Sequence, residues 1–269
     1  SSVLYGSSAL NGIINFRSAD ASNTPVTKFH TEAGIFGRPR NREWKWWNTP
    51  RFFTNTSLSH LQKFGKTDIG MSAYFMTDEG YRRLNGENLG RISLRLKHFS
   101  TKVEGLNYGL NISAGSTHKT DFVLWENART GALRQSEATA AEFRGNFITI
   151  DPFISLRKNE RTRHDLKIRF RSDRNRLPRN EKNNSDAVNL YSEYQLWCRI
   201  TDFLDITSGL TENYSLVNSE FFGDHHGLNL AGFSQVEIRP VNRLKAVAGL
   251  RLEHFSLDGV SDRLTPILR

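Results

Sequence analysis

Three groups of side chains in this sequence could do chemistry. Glu43-Trp44-Lys45-Trp46-Trp47 gathers three indoles into one short segment. Indole rings offer flat apolar faces to sugars, macrocycles or cations, and their N–H groups orient what is bound. The same residues also suit another task, anchoring a loop at lipid headgroups or packing it on its neighbour. Trp125-Glu126 and the basic run from Arg171 to Arg179 read two ways as well, as ligand capture or as contact with an anionic lipid surface. Asp224-His225-His226 carries imidazoles able to ligate a transition ion or haem. Adjacent histidines on an extended segment point to opposite sides, so they rarely share one ion. The ligand-binding candidates are therefore Trp44, Trp46, Trp47, Trp125, His225 and His226, with no metal site and no cofactor expected.

Catalysis finds little support. Serines and histidines are present, but no nucleophile elbow, zinc-binding HExxH or phosphate loop accompanies them. Cys198, beside Trp197, reads as an apolar wall residue, and a single cysteine excludes a disulfide framework. The 269 residues carry 37 Lys+Arg against 28 Asp+Glu, a net charge of +9. That excess is dispersed along alternating segments without a recognition motif, so no nucleic-acid partner is expected. No apolar stretch approaches the roughly 18 residues a spanning helix requires. With 18 Phe and 5 Trp the chain is too sticky for a solvated coil.

The elements that must position these groups have a period of two. Arg91-Ile92-Ser93-Leu94-Arg95-Leu96-Lys97 and Asp165-Leu166-Lys167-Ile168-Arg169-Phe170-Arg171 alternate without a break. Alternation puts every apolar side chain on one face of a strand and every polar one on the other. Strands are expected at 27–38, 51–61, 67–77, 88–99, 106–117, 146–157, 163–172, 187–199, 203–214, 228–240 and 244–256. Most run roughly 10–12 residues, about twice the ordinary strand and enough to cross a bilayer with a tilt. Their connections alternate between tight turns (62–66, 100–105, 158–162, 200–202, 240–243) and long polar loops (38–50, 77–87, 118–145, 172–186, 216–227). A transmembrane barrel has a reason for that asymmetry, since one rim carries hairpins and the other exposed loops. Arg91, Arg95, Lys97, Lys167, Arg169, Arg171, Arg251 and Glu253 would then line a wet lumen; in a soluble sandwich they would be the solvent face. Phe36, Phe52, Phe53, Phe75, Phe99, Phe170 and Phe255, at strand ends, suit an interfacial girdle. A short helical turn is conceivable at 139–144.

The first residues read differently. Ser1 to Arg17 hold two short apolar pieces, Val3-Leu4-Tyr5 and Ile13-Ile14-Asn15-Phe16, around small residues and the turn-forming Gly6 and Asn11-Gly12. This stretch resembles the end of the plug domain of TonB-dependent outer-membrane receptors. The matching positions are Leu4, Tyr5, Gly6, Ala9, Gly12, Ile14 and Asn15, a signature of the plug–barrel junction rather than a ligand site. The resemblance implies an all-β fold: an antiparallel transmembrane β-barrel of about twenty-two strands filled by a plug. Residues 1–18 would end the plug, 19–26 would be a linker, and 27–269 would supply about eleven strands, the first half of the barrel. Neither end reads as a natural terminus, with no leader before Ser1 and an abrupt stop after the turn signal at Asp262 to Pro266.

What the resemblance implies for function is active uptake of a scarce ligand (siderophore, haem, cobalamin, glycan or peptide) across the outer membrane, without enzymatic activity. The expected partners are the TonB–ExbB–ExbD energising complex, outer-membrane lipid and lipopolysaccharide, and a surface lipoprotein. With odd strands running outward, all five long loops fall on the extracellular side. Two alternatives stand beside this reading: a barrel that conducts passively or anchors a surface complex, and a soluble β-rich binding domain.

Overall fold

The computed structural model describes residues 20–241, 244–262 and 264–268. The expected plug tail at 1–18, with its signature residues, lies outside the described residues.

One antiparallel sheet of 13 strands accounts for nearly everything described, and each long strand pairs with its neighbours in sequence. The long strands are β1 (Val26–Ile35), β2 (Phe52–Phe64), β3 (Thr67–Asp78), β4 (Glu87–Phe99), β5 (Leu106–Asp121), β6 (Ala141–Asn159), β7 (Thr162–Arg176), β8 (Ser185–Thr201), β9 (Leu204–Ser219), β10 (His225–Val241) and β11 (Leu244–Leu257). Two short pieces, β12 (Val260–Ser261) and β13 (Thr265–Leu268), both return along β11. The turn before β12 uses Asp258 and Gly259, both at positive φ (51° and 82°). That geometry matches the right-handed twist of the flanking strands, and glycine adopts it without steric cost. Among the described residues β1 pairs with β2 and with no strand at the far end of the order, so the sheet is an open part of a barrel.

Register turns the sequence alternation into two continuous surfaces. One ladder row reads Phe29, Leu58, Ala73, Ile92, Ala114, Ile148, Ser172, Val188, Leu216 from β1 to β9. A row on the opposite face reads Ser59, Ser72, Ser93, Ser113, Thr149, Arg171, Asn189, Ser215 from β2 to β9. Burial assigns the two. Asp68, Thr149, Asp205, Thr211, Arg251 and Glu253 are buried although charged or polar, and all belong to the polar face. Ile92 is 57% exposed and Leu210 65%, both on the aliphatic face. Among the described residues no second layer covers either surface, and the crowded polar side is the inside of the sheet's curl. A soluble sandwich would do the reverse and press its aliphatic faces together. The aliphatic face has local interruptions: the Ser192 hydroxyl reaches Glu212 at 3.4 Å, and Ser208 bonds Ser234 at 2.9 Å.

Several boundaries differ from expectation. β6 is 19 residues long, and β5, β7, β8, β9 and β10 likewise run past their aliphatic stretches. Once both faces are polar the periodic signal ends, yet the backbone ladder needs no apolar side chain to continue. Four of the loops contract accordingly, to 79–86, 122–140, 177–184 and 220–224, whereas the first runs 36–51 and is longer than expected because β1 ends at Ile35. The residues considered for a helical turn divide between a turn at 139 and strand β6. The expected aromatic girdle is only partly formed. Phe52, Phe75 and Phe170 share the aliphatic face, while Phe53 and Phe255 face inward, as does Phe99, with Lys63 and Lys97 at 4.8 and 4.7 Å from its ring.

Candidate functional site

The first three long loops are fastened into one cap. Arg42–Trp44 form a single 3-10 turn, begun by the Asn41 side chain accepting from the Glu43 N–H at 3.0 Å. This aims the Trp44 indole at the third loop, where Nε1 donates to the carbonyls of Arg129 (3.0 Å) and Ala128 (3.3 Å). Trp46 donates to the Tyr81 carbonyl at 3.0 Å, and the Arg51 guanidinium lies 5.1 Å from its ring centre. Trp47, 6% exposed, meets Trp46 and Tyr81 edge-on at 5.6 and 5.4 Å. Tyr81 in turn packs on Phe36, and Phe36 on Phe53.

Gln135 closes this assembly. It is fully buried, donates through Nε2 to Leu84 (2.7 Å) and Asp121 (3.0 Å), and accepts from the Val123 N–H at 3.0 Å. Arg83 N–H to the Leu133 carbonyl (2.8 Å) and Asn85 to Thr120 (3.1 Å) add to the seam. Sequence reasoning missed Gln135 entirely, since one glutamine in a polar loop carries no signal. Trp44, Trp46 and Trp47 thus have their indoles committed to other loops. Trp125 differs. It is 56% exposed, next to exposed Val123 and Leu124, and lines a cavity of about 400 Å³ with Trp44, Arg82 and Phe122. The Arg82 guanidinium sits 4.9 Å over Phe122, so the cavity joins an apolar floor to a cation.

His225 and His226 lie far along the strand order, at the start of β10. They do not reach the tryptophans; both are bound to Asp258 across the sheet. His225 Nδ1 stands 2.6 Å from Asp258 Oδ2, and His225 Nε2 stands 2.7 Å from the Phe222 carbonyl. The His226 N–H donates to Asp258 Oδ1 at 2.8 Å. Two acceptors around one imidazole favour the doubly protonated ring. The Asp258 carboxylate, then the Phe222 carbonyl, raise the pKa of His225, while the same histidine holds Asp258 below the ordinary carboxylate range. Among the described residues no three His, Cys, Asp or Glu side chains converge to hold a metal ion.

The inner face is a second candidate surface. Arg169 grips Asp151 through two bonds of 2.9 and 2.7 Å; Lys167 and Tyr191 both reach Glu193, at 3.0 and 2.7 Å; Arg163 and Ser155 both reach Asp165 at 2.7 Å. These pairs flank a depression of about 490 Å³. Further round, Arg91 and Arg171 lie over the Phe147 ring at 5.4 and 5.0 Å. That ring covers Gly115, where a Cβ would come within 2.6 Å of it. The chain entering β1 also lies on this side, because Lys97 Nζ bonds Asp20 at 3.3 Å and Arg95 stands 3.7 Å from the same oxygen.

A curled antiparallel sheet, aliphatic outside and ionic inside, is the wall of a membrane barrel with a wet interior. No protein-family model matches the sequence, and no curated protein sequence matches it. Solved structures do. The ferric yersiniabactin uptake receptor FyuA from Yersinia pestis superposes with a TM-score of 0.66 at 14% identity, over 100% of this chain and 46% of its own. The closed form of the ferric-catecholate import receptor Fiu from E. coli K12 gives 0.71 at 12% identity, over 100% and 49%. Its open form gives 0.69 at 9%, over 94% and 51%. The chain therefore has the fold of a partial TonB-dependent receptor barrel and spans about half the length of the receptors it matches.

Proposed function

We propose that this chain is part of a TonB-dependent receptor of a Gram-negative outer membrane, importing a scarce ligand at the expense of the inner-membrane proton gradient. The observation that carries this is the pairing of a lipid-facing aliphatic wall with an ionic inner wall, on a fold shared with two ferric-chelate import receptors. Residues 1–18 would end a plug seated in the lumen, 19–26 would link it to the barrel, and 27–269 would be the first half of the wall. The inward position of Asp20 supports a chain that reaches β1 from inside. The long loops would face outward, and ligand would meet Trp125 and Arg82 first. Trp44, Trp46 and Trp47 would support that surface from beneath. A ferric siderophore is the favoured cargo, because an apolar cavity with a guanidinium suits an anionic aromatic chelate, and both neighbours import iron complexes by their names. TonB with ExbB and ExbD would be the energising partner, lipid and lipopolysaccharide would surround the wall, and a surface lipoprotein would suit a peptide or glycan cargo better.

The test is uptake of radiolabelled ferric chelates by cells carrying the full-length protein, with and without TonB. Import lost on deleting TonB supports the reading. Undiminished import without TonB points to a passive barrel, and a full-length protein that stays soluble and monomeric without detergent overturns both.

A further inference from the structure

Above the aliphatic band, at the long-loop rim, the outer face of the wall changes character from one side to the other. One ladder row reads Ala33, Thr54, Thr77, Asn88, His118, Arg144, Arg176 from β1 to β7. A neighbouring row reads Thr56, Phe75, Gly90, Ser116, Asn146, Arg174, Asp186, Asn218 from β2 to β9. The first row is uncharged over β1–β4 and cationic at β6 and β7; the second is uncharged from β2 to β6 and carries Arg174 on β7 beside Asp186 on β8. Arg174 and Arg176 share a face with Ile168 and Phe170, since side chains two apart on a strand point the same way. The guanidinium groups are thus at the level where acyl chains give way to headgroups.

Two carboxylates are shared among four arginines. Glu142 takes Arg144 at 2.9 Å, His118 at 3.0 Å and Arg179 at 3.9 Å; Asp186 takes Arg176 at 2.9 Å and Arg174 at 3.3 Å. Arg179 also donates to the Glu137 carbonyl at 2.6 Å. Each guanidinium carries five donors, so this set keeps a surplus of both charge and N–H groups directed outward. Arg174 is 66% exposed and Arg144 56%. The carboxylates fix the spacing of the cations, and planar forks suit a tetrahedral, doubly charged acceptor better than point charges do.

We propose that Arg144, Arg174, Arg176 and Arg179 form a docking site for the phosphate groups of lipopolysaccharide in the outer leaflet. Continuity with the aliphatic wall selects this occupant: acyl chains cover Ile148 and Phe170, and the phosphates of the same molecule then meet the arginines. The inference rests on the membrane reading above and assigns that reading a specific lipid contact on one side of the barrel.

The experiment uses the full-length protein extracted from outer membranes, with heat-modifiable gel migration as the folding check. Wild type, the triple variant Arg144→Gln/Arg174→Gln/Arg176→Gln, and a control removing equal charge at the opposite rim (Arg157→Gln/Lys158→Gln/Arg161→Gln) are compared. Retained lipopolysaccharide is quantified by mass spectrometry, and binding of purified lipopolysaccharide and of its dephosphorylated form is measured by thermal shift. The expected result is preference for the phosphorylated form, a loss of about tenfold or more in the triple variant, and no change in the control. A folded triple variant that binds like wild type overturns the proposal while leaving the barrel intact. Full displacement by inorganic phosphate at equal phosphate concentration also overturns it, since the site would then take free anions. A wild type without heat-modifiable migration sinks the membrane reading and the proposal together.

Discussion

The third and fifth long loops are both tied down at the same rim, by opposite means. The third loop is held by an uncharged group: buried Gln135 satisfies three backbone partners, and the indole of Trp44 clamps a further turn. The fifth loop is held by an ion pair in water, with His225 bridging the Asp258 carboxylate and its own loop carbonyl at Phe222. Burial decides what each can use. An amide without a titratable proton can be sealed under three loops, whereas a charge in such a place would cost far more than it returns. At the exposed end of the sheet a charge stays hydrated, and the strength of the tie becomes a matter of pH. One side of the rim is therefore closed by an amide that does not titrate, and the other by an imidazole–carboxylate pair that does.

Gln135→Leu should break the comparison most severely. It leaves the Val123 N–H and the Leu84 and Asp121 carbonyls without their buried partner, at about 1–3 kcal/mol for each group. We expect the cap to lose roughly 3 kcal/mol or more, read as accelerated hydrogen exchange across 122–135 with heat-modifiable migration of the barrel unchanged. Unaltered exchange there would show that the seam is held by its backbone bonds alone.

The fifth loop should respond to pH where the third does not. The pKa of His225 is raised above its ordinary 6.5, so its contribution is complete below that value and is lost as pH rises through the raised pKa. Asp258 is lowered from 3.8, so its contribution is present above that value and is lost as pH falls through the lowered pKa. The tie is therefore strongest between about pH 4 and 6.5 and slackens on the alkaline side. Asp224 adds weakly in the same direction, and its own carboxylate already accepts from the Ser219 N–H. Limited proteolysis within 219–224 should run several-fold faster at pH 9 than at pH 6. His225→Gln should remove that difference, and 122–135 should show none. A pH-independent cleavage rate in wild type would mean that the imidazolium bridge does not restrain the loop.

The wall was readable in the sequence because alternation is a local property: Arg91 to Lys97 display both faces without reference to any partner strand. Strand ends were not, since the ladder from Lys119 to Asp121 against Ala141 to Phe143 depends on backbone groups that every residue has. Interior pairs needed register. Arg169 and Asp151 are both visible as charged residues, but only the antiparallel alignment of β6 and β7 sets them side by side. The tryptophans illustrate the same limit. Their chemistry admits capture or packing, and the choice for Trp44 is made by a carbonyl 84 residues away. Asp258-Gly259 was available as a hairpin signal, and with it the partner of both histidines.

Trp44→Phe should give the smallest effect and sharpen the contrast between a clamp and a contact surface. The ring stays, and the indole donor to Ala128 and Arg129 is lost. A single hydrogen bond at a partly hydrated site is worth about 1 kcal/mol, so exchange near Arg129 should rise modestly while ligand uptake holds. Trp125→Ala should do the opposite, because that ring has few structural obligations and its exposed face would be spent on the ligand. It should leave exchange in the cap nearly unchanged and weaken ligand binding, measured as Kd for a labelled ferric chelate. If Trp44→Phe impaired binding as much as Trp125→Ala, the two indoles would act as one surface, and the division between fastener and contact would fail.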